Sequence, residues 1–355
     1  MSVKAQTHQL KAPLPLDLGG CLEGVEIAYH TFGRLNERRD NVIWVCHALT
    51  ANSDVDDWWP HTVVPGGFLD PAKHFVVCAN ILGSCYGTTG PLSANPATGH
   101  PYYADFPRLT MRDVVRAHRL LADALGIGRI HGLVGASVGG FQAAEWAVTE
   151  PERFDRVVLL ATAPKASPWA IAIDETQRMA ILADSTYGEP RPDAGAAGLS
   201  AARAIGLLTY RGPEGYNLTQ QDHPGAEEVI PGLPALHRAC TYQRHQGDKL
   251  VKRFNAYSYM TILDTFDTHD IGRDRGGVKE ALKRLADTET LVIGLSTDLI
   301  FTPAEMRQLA ADIPGAAYRE IDSPFGHDGF LVEHGQLNDI LVPFFSPENK
   351  QQNDR

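Results

Sequence analysis

Gly132-Leu133-Val134-Gly135-Ala136-Ser137-Val138-Gly139-Gly140-Phe141-Gln142-Ala143-Ala144-Glu145-Trp146 is the stretch that decides how this chain is read. An apolar run ends at Val134, a G-x-S-x-G follows, and the residues from Gly140 have helical character. A serine on such a strand-to-helix turn is a nucleophile elbow, because small flanking residues permit the sharp turn that lifts the hydroxyl above the sheet. Alone the motif could equally be a packing device, so its meaning depends on partners elsewhere in the chain.

Working outward, short apolar runs rich in β-branched residues recur at Val42–Val45, Phe75–Val77, Val157–Leu160 and Leu291–Leu295. They are continuous rather than alternating, the pattern of strands buried on both faces. Helical patterns lie between them. In the clearest, Met111, Val114, Val115, His118, Leu121 and Leu125 recur at three- and four-residue steps, with Thr110 and Asp113 as a capping box and Gly126 as the stop. This alternation predicts an α/β protein with a mostly parallel sheet and helices on both faces. The alternation breaks near residue 165 and resumes near residue 288, and the intervening segment is polar, helix-prone and interrupted by Pro/Gly clusters at Gly188–Pro192 and Pro231–Pro234. At 355 residues the chain exceeds the usual size of one core. The expectation is therefore a core of residues 1–164 and 286–345, a helical lid of residues 165–285 over the carboxyl edge of the sheet, and a polar tail of residues 346–355.

Chain order supplies the partners that the elbow needs. Asp298 follows the run ending at Leu295, and His327 follows in Pro324-Phe325-Gly326-His327-Asp328, beyond a further predicted strand at Tyr318–Ile321. The order Ser, Asp, His is that of a hydrolase-type triad on an α/β sheet. His327 would take the Ser137 proton, while Asp298 would hold the imidazole tautomer and stabilise the imidazolium. An oxyanion hole needs two backbone N–H groups; Val138, after the nucleophile, and Leu49, in Cys46-His47-Ala48-Leu49-Thr50, are the candidates. His47 in that loop is expected to fix its shape by hydrogen bonding.

Composition excludes other classes. Hydrophobic residues at 43% and charged ones at 21% describe an ordinary globular protein. A net charge of −11 argues against nucleic acid or an anionic membrane as partner. No apolar stretch approaches the ~20 residues of a membrane helix, and the N-terminus lacks a signal-peptide core. A cytoplasmic location is expected. Cys21, Cys46, Cys78, Cys85 and Cys240 lack paired spacing, so reduced thiols are expected rather than disulfides or a metal site. Arg238, Arg244, Lys249, Lys252 and Arg253 form a basic stretch, read first as a solvated helix face and otherwise as a contact for phosphates.

Beyond these patterns, Cys46-His47-Ala48-Leu49-Thr50, Asn80 to Pro91, Asn95-Pro96-Ala97-Thr98-Gly99, Gln142-Ala143-Ala144-Glu145-Trp146, His269-Asp270-Ile271-Gly272-Arg273 and Ile321 to Leu331 resemble the homoserine O-acetyltransferase family over residues 25–340. The resemblance implies an α/β-hydrolase fold and ping-pong transfer of acetyl from acetyl-CoA, through acyl-Ser137, to the hydroxyl of L-homoserine in methionine biosynthesis. It further implies that Arg203 and Tyr210 contact the acceptor, that Asp328 receives its ammonium, that no permanent cofactor is needed, and that the chain forms a homodimer. A guanidinium does suit a carboxylate, and a carboxylate an ammonium, although Arg203 by itself reads as a helix-surface arginine. A succinyl-CoA donor, an L-serine acceptor and plain ester hydrolysis remain open. Val138 stands where the family usually has Met, the loop from Ala51 to Asp57 differs, and Thr302 is unusual.

Overall fold

The computed structural model describes residues 4–223, 228–230, 233–234 and 236–346. Eight strands form the main sheet: β1 (Gln6–Gln9), β2 (Glu26–Phe32), β3 (Val42–Cys46), β4 (Phe75–Ala79), β5 (Ile130–Ala136), β6 (Phe154–Leu160), β7 (Glu289–Leu295) and β8 (Ala317–Ile321). Their order across the sheet is β1-β2-β4-β3-β5-β6-β7-β8. The pairs β1/β2 and β2/β4 are antiparallel, and every pairing from β4 to β8 is parallel. Each apolar run of the sequence reading falls in a strand, extended by up to three residues at an end.

The continuous runs are explained by cover on both faces. Along β3, β5 and β6, Trp44, Leu133 and Val157 pack into one core layer with α1 (Met111–Ala124) and α2 (Val138–Thr149). Their neighbours Ile43, Val45, Val134 and Val158 pack into the other with Leu337, Leu341 and Phe345 at the C-terminal end of the chain. The indole rings of Trp44 and Trp146 meet edge-on at 5.1 Å, burying large apolar area where strand meets helix. As expected, α1 starts at Met111, and the Thr110 N–H donates to the Asp113 carboxylate at 2.9 Å.

Between β6 and β7 lie α3 (Pro168–Leu182), α4 (Ala196–Thr219), α5 (Arg238–Val251) and α6 (Ala256–Asp267), followed later by α7 (Pro303–Asp312) and α8 (His334–Phe345). Helix α4 is broken at Gly212, whose φ of 63° and ψ of 169° leave the helical region just before Pro213. Pro231, Gly232 and nearly all of the expected polar tail lie outside the described residues, where Ser346 closes α8. No helix among the described residues is long and apolar enough to cross a membrane.

Candidate active site

Ser137 stands between β5 and α2 with φ 58° and ψ −124°. A non-glycine residue in that region costs on the order of 1–3 kcal/mol and survives only where its surroundings over-determine it. Here its N–H donates to the Leu160 carbonyl at 3.0 Å, and its own carbonyl accepts from Thr162 Oγ1 at 2.8 Å. The glycines of the motif answer to close approach. A Cβ at Gly135 would strike the Gly139 carbonyl, and one at Gly139 would strike the Cys46 carbonyl.

Residues distant in the chain meet at this turn. His327 Nε2 lies 2.7 Å from Ser137 Oγ, and His327 Nδ1 lies 2.7 Å from Asp298 Oδ2. The other Asp298 oxygen accepts the N–H groups of Ile300 and Phe301 at 2.8 and 3.1 Å, so the carboxylate is held on both sides. Burial pulls the His327 pKa down, but the charge and hydrogen bond of Asp298, helped by Asp328, outweigh it and the net shift is upward. The acid loop and the base loop are also stitched together, because Thr297 Oγ1 donates to the Ser323 carbonyl at 2.6 Å and accepts the Gly326 N–H at 2.9 Å.

The loop after β3 lies beside the elbow. Val138 heads α2, where its N–H has no partner within the helix, and both Leu49 and Val138 line the cavity above Ser137. His47 is fully buried; its Nε2 accepts the Ile81 N–H at 3.0 Å, which makes Nδ1 the donor to the Ala48 carbonyl at 2.9 Å. Burial pulls its pKa down to about 4, so it is neutral and fixes the loop. Gln142 ties this loop to the elbow helix. Its Nε2 donates to the carbonyls of His47 and Val138 at 3.0 and 3.3 Å, while its Oε1 accepts from the buried His118 at 3.0 Å. The motif residues near His269 are likewise structural: His269 Nε2 donates to the Ala163 carbonyl at 3.0 Å, and its ring stacks on Phe141 at 4.1 Å.

The cavity measures about 450 Å³, and its wall includes Ser137, His327, Asp328, Arg203 and Tyr210. Arg203 lies 5.5 Å over the Tyr210 ring, and that ring stands 6.3 Å from His327. Three groups escaped the sequence reading. Arg211 donates from Nε to Asp328 Oδ2 at 3.1 Å. Asp174 and Asp267 also line the wall; burial and its neighbour Asp267 raise Asp174 well above the carboxylate range, while Arg178 grips Asp267 at 2.6 Å. Only tertiary proximity marks these, since each sits singly on a helix or helix end. Arg253 is also more than a solvated cation: with Lys249 it lines the cavity mouth, and it donates to Thr50 and Tyr86.

Comparisons with known proteins agree with this fold. A family model described as alpha/beta hydrolase fold matches residues 41–201. A homoserine O-acetyltransferase of Cyclobacterium marinum is 44% identical over 95% of this chain and 93% of its own. One from Thermus thermophilus is 43% identical over 92% of this chain and 88% of its own. The crystal structure of homoserine O-acetyltransferase from Bacillus anthracis superposes with a TM-score of 0.87 at 25% identity, covering 98% of each chain. Identity at that level, spread over nearly the full length and joined to the same fold, means that the chain belongs to the homoserine O-acetyltransferase family.

Proposed function

We propose that this protein transfers an acetyl group from acetyl-CoA to the side-chain hydroxyl of L-homoserine through an acyl-enzyme on Ser137. The observation that carries the proposal is the unbroken Asp298–His327–Ser137 relay, with both contacts at 2.7 Å, opening on a cavity that also holds Arg203. His327 Nε2 takes the Ser137 proton as Oγ attacks the thioester carbonyl, and the Val138 and Leu49 amides receive the oxyanion. Collapse expels the thiolate, which takes the proton from His327 and leaves as free thiol. The acceptor hydroxyl then gives its proton to His327 and attacks the acyl group, and Ser137 recovers the proton as the ester departs. Arg203 suits the acceptor carboxylate, with Tyr210 supporting its guanidinium, and Asp328 suits the ammonium.

Transfer requires that homoserine outcompete water. Orientation of the hydroxyl can supply part of the ~7–11 kcal/mol available to well-placed reactants, provided the helices over the sheet limit solvent. Lys249 and Arg253 at the mouth offer positive charge to the donor's phosphates in an otherwise acidic protein. The same reading puts the chain in the cytoplasm, where acyl-CoA is used and where its five free thiols would stay reduced, and pairs it with a second copy as a homodimer.

The deciding assay crosses acetyl-CoA and succinyl-CoA with L-homoserine and L-serine and follows thiol release. Release is expected with acetyl-CoA and homoserine together; release indifferent to homoserine would make the protein an esterase. Arg203→Ala should raise the homoserine KM while leaving acylation of Ser137 intact.

A further inference from the structure

The carboxylate assigned to the acceptor ammonium already holds a cation. Asp328 lines the cavity, yet its Oδ2 accepts from Arg211 Nε at 3.1 Å. Arg211 comes from α4, next to Tyr210 and immediately before the break at Gly212. Its guanidinium carbon lies 5.3 Å over the ring of Tyr242 on α5. The pair is sheltered, with side-chain exposures of 27% for Arg211 and 18% for Asp328. The backbones close on each other at the same seam, since a Cβ at Gly326 would lie 3.0 Å from both the Tyr210 oxygen and the Arg211 carbonyl carbon.

A carboxylate has about four acceptor positions, and the guanidinium occupies one on Oδ2. Among the described residues no hydrogen bond reaches Oδ1. Arg211 thus holds the Asp328 carboxylate from its Oδ2 edge and restricts its rotation. Because Arg211 also offsets part of the negative charge, the remaining oxygen selects a second cation by position more than by long-range attraction.

Resting on the acyltransferase reading, we infer that Arg211 is a positioning residue for acceptor specificity: it aims Asp328 so that an acceptor bearing an ammonium presents its hydroxyl to acyl-Ser137. Held from helix α4, Asp328 reads the acceptor through its ammonium.

The test uses full-length Arg211→Gln and Arg211→Lys. Acylation is read as the p-nitrophenol burst from p-nitrophenyl acetate; discharge of the acyl-enzyme is read with L-homoserine and with 4-hydroxybutanoate, which lacks the ammonium. Arg211→Gln should leave the burst rate within about twofold, raise the homoserine KM by about tenfold or more, and lower the preference for homoserine over 4-hydroxybutanoate by a similar factor, as expected for loss of one charge-assisted contact. Arg211→Lys retains the charge and should restore part of that preference, and it serves alone if the glutamine variant does not fold. A preference unchanged in both variants, or acylation falling in step with discharge, would overturn the assignment. Wild-type acyl-enzyme indifferent to homoserine would instead overturn the acyltransferase reading, and this inference with it.

Discussion

His327 shows how one side chain is set by opposing influences. Burial alone would lower its pKa below the ordinary 6.5, and the Asp298 carboxylate reverses the sign. The base works as neutral imidazole, so the acid limb of acylation should lie above 6.5. Asp298→Asn removes the charge but not the burial. It should move that limb to lower pH and cut the acylation rate by roughly 10³–10⁴-fold, because the tautomer is no longer held; a p-nitrophenol burst measured against pH checks both, and an unmoved limb would contradict the account. At this scale the sequence was informative wherever a motif fixed local shape. Ser137, Asp298 and His327 could be named from order and context, and His47 from its place in the loop. Arg211, Asp174 and Asp267 could not, since an ionisable residue on a helix gives no sign of which cavity it will line.

The elements place these side chains by local rules visible in the chain. The elbow works because Gly135 and Gly139 admit carbonyls where any side chain would collide. Helix α7, which follows the Asp298 loop, opens with a reciprocal cap: the Thr302 N–H donates to Glu305 at 2.8 Å, and Thr302 Oγ1 accepts the Glu305 N–H at 3.4 Å. That cap is a physical reason for the threonine that looked unusual against the family pattern. Thr302→Ala should cost about 1 kcal/mol of stability and leave the activity of the folded enzyme unchanged, which a denaturant midpoint at constant slope and a parallel rate assay would show. The antiparallel strands β1 and β2 were not anticipated. In Glu26–Phe32 a charged residue opens the strand and polar residues interrupt the apolar ones, so no continuous run marks it.

For the whole molecule, the helices between β6 and β7 line the cavity with some side chains and expose others to solvent. Their inner side supplies Ile173, Asp174, Arg203, Tyr210 and Phe266 to the cavity. Elsewhere α3 and α4 leave Met179, Leu182, Leu208 and Leu218 more than half exposed, from 57% to 64%, and the homodimer proposed above is expected to cover part of this apolar surface. Light scattering should therefore give twice the mass of one chain, and Met179→Glu combined with Leu208→Glu should shift the protein toward monomer; a wild-type monomer would rule out the homodimer. The sequence by itself determined the alternating α/β order and the elbow at Ser137, because periodicity and close-packed turns are written within a few neighbouring residues, while chain order only nominated Asp298 and His327 as its partners. What only the tertiary structure decided is which distant charges share the cavity: that Arg211 holds Asp328, that Arg178 holds Asp267, and that Arg253 reaches the loop after β3. Those pairings depend on how helices far apart in the chain pack across the sheet edge, and local pattern carries no information about that.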